Sequence, residues 1–349
     1  LEVLTDGGGS GGSPRPIHGP RSRRAPIALL AVWGACVAAL LCAEAWKAGL
    51  RRATPLNVDG RARVESSGAR TLRFAVLGDS GAGSGRFQRM LGRIRDGQPD
   101  FVAHVGDIAY RGEWDFYHFR WLVRGGPTFL VAPGDHDSKN PARRAMFERL
   151  IGPRAFHVDL PAARLVFVDT AGDRLPPGTA AALARRIDEA GGRRTVIFLH
   201  VPPIDPRGGT HCLRPGAELD ELRAVLRARR DRIVALFSGH VHGAYRTTVE
   251  GVPLFVSGGG GKDVEPGEPF HFLRVRLPEG GALEVEQVND PDALALADRM
   301  RTAGYYALTL WLRHGWLILA AVTAAVLYRA LRSLRRAAAP VSQAIGTDS

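Results

Sequence analysis

From Thr71 onward the chain alternates between short apolar runs and longer stretches with helical spacing. The runs TLRFAVL (71–77), FVAHV (101–105), TFLVA (128–132), ARLVFVD (163–169), TVIFL (195–199) and IVALF (233–237) are rich in Val, Ile, Leu and Phe and too short for helices. They are predicted as buried strands. Between them, Phe87, Met90, Leu91 and Ile94 recur at intervals of three and four, which places them on one helical face. Ala145, Met146, Leu150 and Ile151 also have helical spacing, as do Leu219, Leu222, Val225 and Leu226. After Gly243 this spacing stops. AYRTTV, VPLFVS, FHFLRVRL and ALEVEQV follow, separated by Pro and Gly turns, and are predicted as hairpins. Alternating strands and helices predict an α/β layered fold. In such folds a functional site lies beyond the carboxyl ends of the strands, on one sheet edge.

Two longer apolar stretches flank this region. Residues 26–46, PIALLAVWGACVAALLCAEAW, are about one bilayer span long, carry only Glu44 as a charge, and follow Arg21, Arg23 and Arg24. The length favours a retained anchor over a cleaved signal peptide. Residues 305–328 can also span, with Arg313 reaching to an interface and Tyr305, Tyr306 and Trp311 as an aromatic belt. Arg329, Arg332, Arg335 and Arg336 follow, and this basic run places both tails in the cytoplasm and the region between the spans outside. Lys47, Arg51 and Arg52, on the supposedly outer side, blur the signal from the first span. The expected organisation is a disordered cytoplasmic tail (1–25), a transmembrane helix (26–46), a linker (47–70), the main domain (71–290), a linker (291–304), a second transmembrane helix (305–328) and a basic cytoplasmic tail (329–349).

Composition changes this picture little. The net charge of +12 invites a nucleic-acid reading, but only three residues are lysine and the arginines are spread along the chain. The densest basic runs border the apolar stretches, so a membrane is the expected partner and nucleic acid is not. Cys36, Cys42 and Cys212 supply neither a disulfide framework nor a cysteine metal site.

The informative residues stand directly after the strands. FAVL leads to Gly78-Asp79, VAHV to Gly106-Asp107-Ile108-Ala109-Tyr110, FLVAP to Gly134-Asp135-His136-Asp137, VIFL to His200, and VALFS to Gly239-His240-Val241-His242. One such residue would be an ordinary turn; five in one domain are not. Carboxylate, imidazole and phenol donors suit iron, zinc or manganese better than calcium. Two such ions can clamp both oxygens of an in-line displacement at phosphorus. His104 is expected to be a packed core histidine, and His211 lies in a Pro/Gly-rich loop that can reach the site. Arg111, Arg207 and Arg214 are each able to meet a phosphate.

The order GD, GD, GDHD, H, GHVH resembles that of the calcineurin-like metallophosphoesterases over about Leu72 to Lys262. Gly81 stands where most of that superfamily has His, and Tyr110 follows Asp107 by three residues; this pairing resembles the purple acid phosphatase branch. The resemblance implies a four-layer α/β/β/α sandwich, here flanked by two transmembrane helices. It also implies two metal ions, iron with a second iron, zinc or manganese. Asp79, Tyr110 and His242 would hold the first, Asp135, His200 and His240 the second, and Asp107 would bridge them. His136 would contact the phosphate or protonate the leaving oxygen. Asp135 departs from the family's usual Asn and adds a negative charge, which favours metal binding and disfavours an anionic substrate.

The expected function is therefore hydrolysis of a phosphate ester by in-line attack of a metal-bound hydroxide, in a membrane-anchored enzyme. A phosphodiesterase or pyrophosphatase acting on a lipid-linked substrate is the alternative within enzymes. A non-catalytic, metal-containing membrane sensor or scaffold is the alternative outside them.

Overall fold

The computed structural model describes residues 24–172, 174–290 and 295–337. The expected tails lie outside these residues from 1 to 23 and from 338 to 349. In chain order the elements are α1 (Arg24–Arg52), α2 (Leu56–Ser66), β1 (Thr71–Leu77), α3 (Gly85–Asp96), β2 (Phe101–His104), α4 (Glu113–Leu122) and β3 (Thr128–Val131). Then come α5 (Pro141–Leu150), β4 (Phe156–Asp159), β5 (Arg164–Phe167), α6 (Thr179–Asp188), β6 (Thr195–Phe198) and α7 (Ala217–Arg229). The chain continues with β7 (Ile233–Ser238), β8 (Ala244–Val249), β9 (Val252–Ser257), β10 (His271–Pro278), β11 (Glu284–Asn289) and α8 (Leu296–Ala337).

The strands form two sheets, in the orders β11-β10-β1-β2-β3 and β4-β5-β6-β7-β9-β8. Strands β1, β2 and β3 run parallel, as do β5, β6, β7 and β9, while the late hairpin strands add antiparallel edges. Between the sheets lies one apolar layer. Phe74 stacks on Phe101 at 4.9 Å and meets Phe198 edge-on at 5.9 Å, and all three are buried. Burying one such ring stabilises by roughly 1.5–3 kcal/mol. The outer face of the first sheet is covered by α3, α4 and α5 through Phe87, Met90, Phe116, Phe119 and Phe147. The outer face of the second is covered by α6 and α7 through Leu183, Ile187, Leu219, Leu222 and Leu226. The expected four-layer sandwich is the one observed.

Local chemistry starts the helices where the sequence allows. The Ser84 hydroxyl accepts from the Phe87 N–H at 3.4 Å to open α3. Asn140 accepts from Arg143 N–H at 3.0 Å to open α5, where Pro141 gives up no hydrogen bond. Asn57, fully buried on α2, closes the free edge of β3. Its amide donates to the carbonyls of Val131 and Pro153, at 2.9 and 3.2 Å, and accepts from Val131 N–H at 2.8 Å.

Several expectations need correcting. The stretch expected as a linker at 47–70 contains α2 and the end of α1, and the one at 291–304 is helical from Leu296. Strand β4 was not expected; its sequence, FHVD, alternates buried and half-exposed positions and forms no apolar run. Tyr305 was expected in an interfacial belt. It is buried instead, its hydroxyl donating to Asp115 and its ring stacked on His118 at 4.3 Å.

The chain divides into two units, one of Ala45–Arg313 and one of Leu1–Glu44 with His314–Ser349. The first holds the sandwich. In the second, Trp33 Nε1 donates to Thr323 Oγ1 at 3.0 Å, joining the apolar parts of α1 and α8. Leu30–Arg52 and Leu296–Arg332 are long and apolar enough to cross a membrane.

Candidate metal centre

The donor residues gather at the carboxyl ends of strands from both sheets, not along one sheet edge as the sequence suggested. Asp79, Asp107 and Asp135 follow β1, β2 and β3 of the first sheet; His200, His240 and His242 follow β6 and β7 of the second. Within the first sheet Asp79 N–H donates to Gly106 O at 3.0 Å, and within the second Gly239 N–H donates to His200 O at 3.1 Å. Across the seam His240 N–H donates to Asp79 Oδ2 at 2.9 Å.

Sharp turns aim the side chains inward. Asp79, Asp107 and His240 have φ of 57°, 62° and 67°, the left-handed region that non-glycine residues rarely enter. Such strain persists only where the surroundings hold it. Two glycines allow the close approach. A Cβ on Gly134 would lie 2.0 Å from Asp107 Oδ1, and one on Gly106, at φ 99°, would lie 2.6 Å from His200 Nδ1.

Asp137 holds the Asp107 turn from behind. One carboxylate oxygen accepts from Asp107 and Gly134 N–H at 2.9 and 3.0 Å, the other from Ile108 and Ala109 N–H at 3.1 and 2.8 Å. Sequence reading gave Asp137 no role. Its only signal was a second carboxylate two positions after Asp135.

The converging atoms form overlapping groups. Asp135, His200 and His240 have donor atoms within 4.8 Å of one another, as do Asp79, Asp107 and His200, and also Asp107, Asp135 and His136. Asp135 Oδ1 lies 3.0 Å from His200 Nε2 and 3.2 Å from His240 Nδ1. Asp107 Oδ1 lies 3.6 Å from His200 Nε2. Asp79 Oδ1 lies 3.3 Å from His242 Nε2 and 3.4 Å from the Tyr110 hydroxyl. His200 Nδ1 is 2.7 Å from the Val105 carbonyl, which can only accept. The proton is therefore on Nδ1, and Nε2 faces the carboxylates.

The electrostatics of this cluster ask for a cation. Burial, with the charges of Asp79, Asp137 and Asp135, pushes the Asp107 carboxyl well above its usual range, against the pull of His200. Burial also raises the Tyr110 phenol well above its ordinary value, reinforced by Asp79 and Asp107. Burial opposes a charge on His200, yet Asp107, Asp135 and Asp79 outweigh it and hold the imidazole well above its usual value. Three buried or half-buried carboxylates gathered with imidazoles and a phenol fit one or two metal ions, which would take the place of those protons.

His136 is half-exposed. Its ring lies 4.3 Å from that of Tyr110, and its Nε2 is 3.9 Å from Asp135 Oδ2, too long for a hydrogen bond. His104 is buried behind the site, its Nε2 2.9 Å from Ser80 Oγ, and burial lowers its pKa to about 3. It is the packed core histidine expected. The loop after His200 does reach the site: the His211 ring lies 6.0 Å from that of His240, and Arg207 donates to His211 Nδ1 at 2.8 Å. Arg207 is itself paired with Asp205 and Glu265 at 3.1 and 2.9 Å.

Residues 72–244 match the calcineurin-like phosphoesterase family. The chain is 29% identical over 182 residues to the glycerophosphodiester phosphodiesterase GpdQ of Enterobacter lignolyticus, a match covering 47% of this chain and 63% of that protein. It thus spans less than two thirds of that relative's length. Among solved structures, it resembles GAP50, the anchor in the inner membrane complex of Plasmodium, at TM-score 0.49 and 13% identity over 68% of this chain and 95% of that one. It also resembles a dimetal phosphatase from Danio rerio at TM-score 0.47 and 12% identity, covering 62% of this chain and 98% of the other. At these values the structural likeness carries nothing about activity.

Proposed function

The chain carries a calcineurin-like phosphoesterase domain, and from that premise we propose that it hydrolyses a phosphate ester at a dinuclear metal centre. The observation that carries the reading is the convergence of three aspartates, three histidines and Tyr110 from two sheets onto one point.

Asp79, Tyr110 and His242 would hold one ion, Asp135, His200 and His240 the other, and Asp107 would bridge. When bound, the ions would neutralise the phosphoryl oxygens and activate a water for in-line attack. The protein's own residues do the rest. The Val105 carbonyl orients His200, Asp137 orients Asp107, and His136, half-exposed beside Asp135, contacts the phosphoryl group or protonates the leaving oxygen. Asp135, in place of a neutral amide, draws His200 and His240 toward itself.

The named activity of the E. lignolyticus relative favours a diester over a monoester. Full-length chain supplied with Mn2+ should turn over bis(4-nitrophenyl) phosphate faster than 4-nitrophenyl phosphate, and EDTA should stop both reactions. Failure to hydrolyse either would leave the scaffold or sensor reading. We further place the apolar stretch of α1 before Glu44 and that of α8 after Arg313 in a membrane, with the catalytic domain on the extracytoplasmic side, because of their apolar composition and the basic run after Tyr328. Protease added to cells with permeable outer layers should then cut the domain and spare a tag after Ser349; protection of the domain would reverse the orientation.

A further inference from the structure

Beside the metal centre a cleft of about 390 Å3 opens past Gly81 and Tyr110. That size is within the range of small-molecule sites, about 300–1,000 Å3. Its far wall is the first part of α8, which lies outside the matched family segment and supplies Thr302, Tyr305 and Tyr306.

Most polar groups on the walls are already engaged. The Ser84 hydroxyl donates to Gly261 O at 2.6 Å. Thr302 Oγ1 accepts from Gly85 N–H at 2.8 Å and donates to Asp298 O at 2.9 Å. Asp115 takes the Tyr305 hydroxyl and the Arg111 N–H, and Lys262 pairs with Asp263. Two groups are left. Among the described residues, the Arg111 guanidinium has no carboxylate partner and the Tyr306 hydroxyl has no hydrogen bond.

Arg111 is nevertheless held in place. Its N–H is anchored on Asp115 at 2.6 Å, and its guanidinium lies 3.5 Å from the centre of the Tyr306 ring. Stacking fixes the plane of the guanidinium and leaves its N–H edges free, the geometry that takes a carboxylate or phosphate side-on. Arg111 also directly follows Tyr110, so this cation stands next to the metal centre without belonging to it.

Resting on the phosphoesterase reading above, we propose that this cleft holds the organic part of the substrate, and that this part carries a second anionic group, carboxylate or phosphate, received by Arg111 and Tyr306. The substrate class is then a phosphate ester with two separated acids. The aromatic walls receive the connecting portion, and α8 decides which esters fit.

The test measures binding apart from turnover. Manganese-loaded full-length chain is titrated calorimetrically with phenylphosphonate, 4-carboxyphenylphosphonate and 1,4-phenylenediphosphonate, which it cannot hydrolyse. The two doubly acidic probes should bind about tenfold more tightly than phenylphosphonate, as one added charge-assisted contact implies. The better of the two identifies the second acid as carboxylate or phosphate. Arg111→Gln should remove this preference and Tyr306→Phe should reduce it. Equal affinity of all three probes for the wild-type chain would overturn the proposal, as would a preference that survives Arg111→Gln in a variant with wild-type thermal stability. A chain that shows the preference and hydrolyses no ester would keep the cleft assignment and refute the hydrolase reading instead.

Discussion

Asp137 offers a sharp perturbation because it touches no proposed ligand atom of the metals yet holds the turn that carries Asp107. Its carboxylate receives four backbone N–H groups, two on each oxygen. Asp137→Asn keeps the shape and replaces one oxygen by an NH2 that faces two donors. Two buried hydrogen bonds to a charged group are lost and their donors left unsatisfied, at about 1–3 kcal/mol each. The sum is on the order of 4 kcal/mol, a large share of an ordinary domain's stability. A metal effect should accompany it. Without these bonds Asp107 relaxes from its left-handed φ of 62° and its oxygens leave the cluster. Loss of such an outer support commonly weakens metal binding about 10- to 100-fold. Denaturant unfolding gives the first quantity and calorimetric Mn2+ titration the second. A variant with an unchanged unfolding midpoint and unchanged Mn2+ affinity would refute the reasoning.

His136→Ala should keep the metals and lose rate, because its Nε2 is 3.9 Å from the nearest Asp135 oxygen and the other donors are untouched; loss of both ions would make His136 a ligand instead. Iron-loaded chain is expected to be coloured through the Tyr110 phenolate, and Tyr110→Phe to bleach it; a colourless wild-type chain holding two zinc or manganese ions would remove the purple-phosphatase reading and leave the two-metal one. His118, packed between Tyr305 and Trp121, has its pKa lowered by burial from 6.5 to about 4. Its neutral form contributes stability above pH 6.5 that is lost as the pH falls toward 4, at up to about 1.4 kcal/mol per unit. Unfolding midpoints measured across this window should fall more steeply for wild type than for His118→Phe, and parallel slopes would contradict the assignment.

Much of this clustering was legible because Asp79, Asp107, Asp135, His200 and His240 stand shortly after strands, where the apolar run and, before all of them but His200, a Gly are local signals. The hairpins β8 to β11 were legible for the same reason. What escaped depends on distant partners. Tyr305 carries no mark of its bond to Asp115, 190 residues away. Asn57 reads as an ordinary polar residue until its pairing with Val131 at the edge of β3 is known. The division of donors between two sheets was missed because strand order within a sheet is not written in the strands themselves; β10, late in the chain, pairs with β1 at its start. Apolar periodicity alone also could not mark where α8 leaves the unit that holds the sandwich, after Arg313.

The central claim is that these seven side chains hold two metal ions that hydrolysis requires. Elemental analysis of the full-length chain, purified and dialysed after loading with Mn2+ or iron, measures this most directly when read beside turnover of bis(4-nitrophenyl) phosphate. Two ions per chain are expected, with turnover that disappears on chelation and returns on reloading, and Asp107→Ala should lose ions and turnover together. A chain that retains no ion after loading, or whose turnover is unaffected when its ions are removed, would contradict the account.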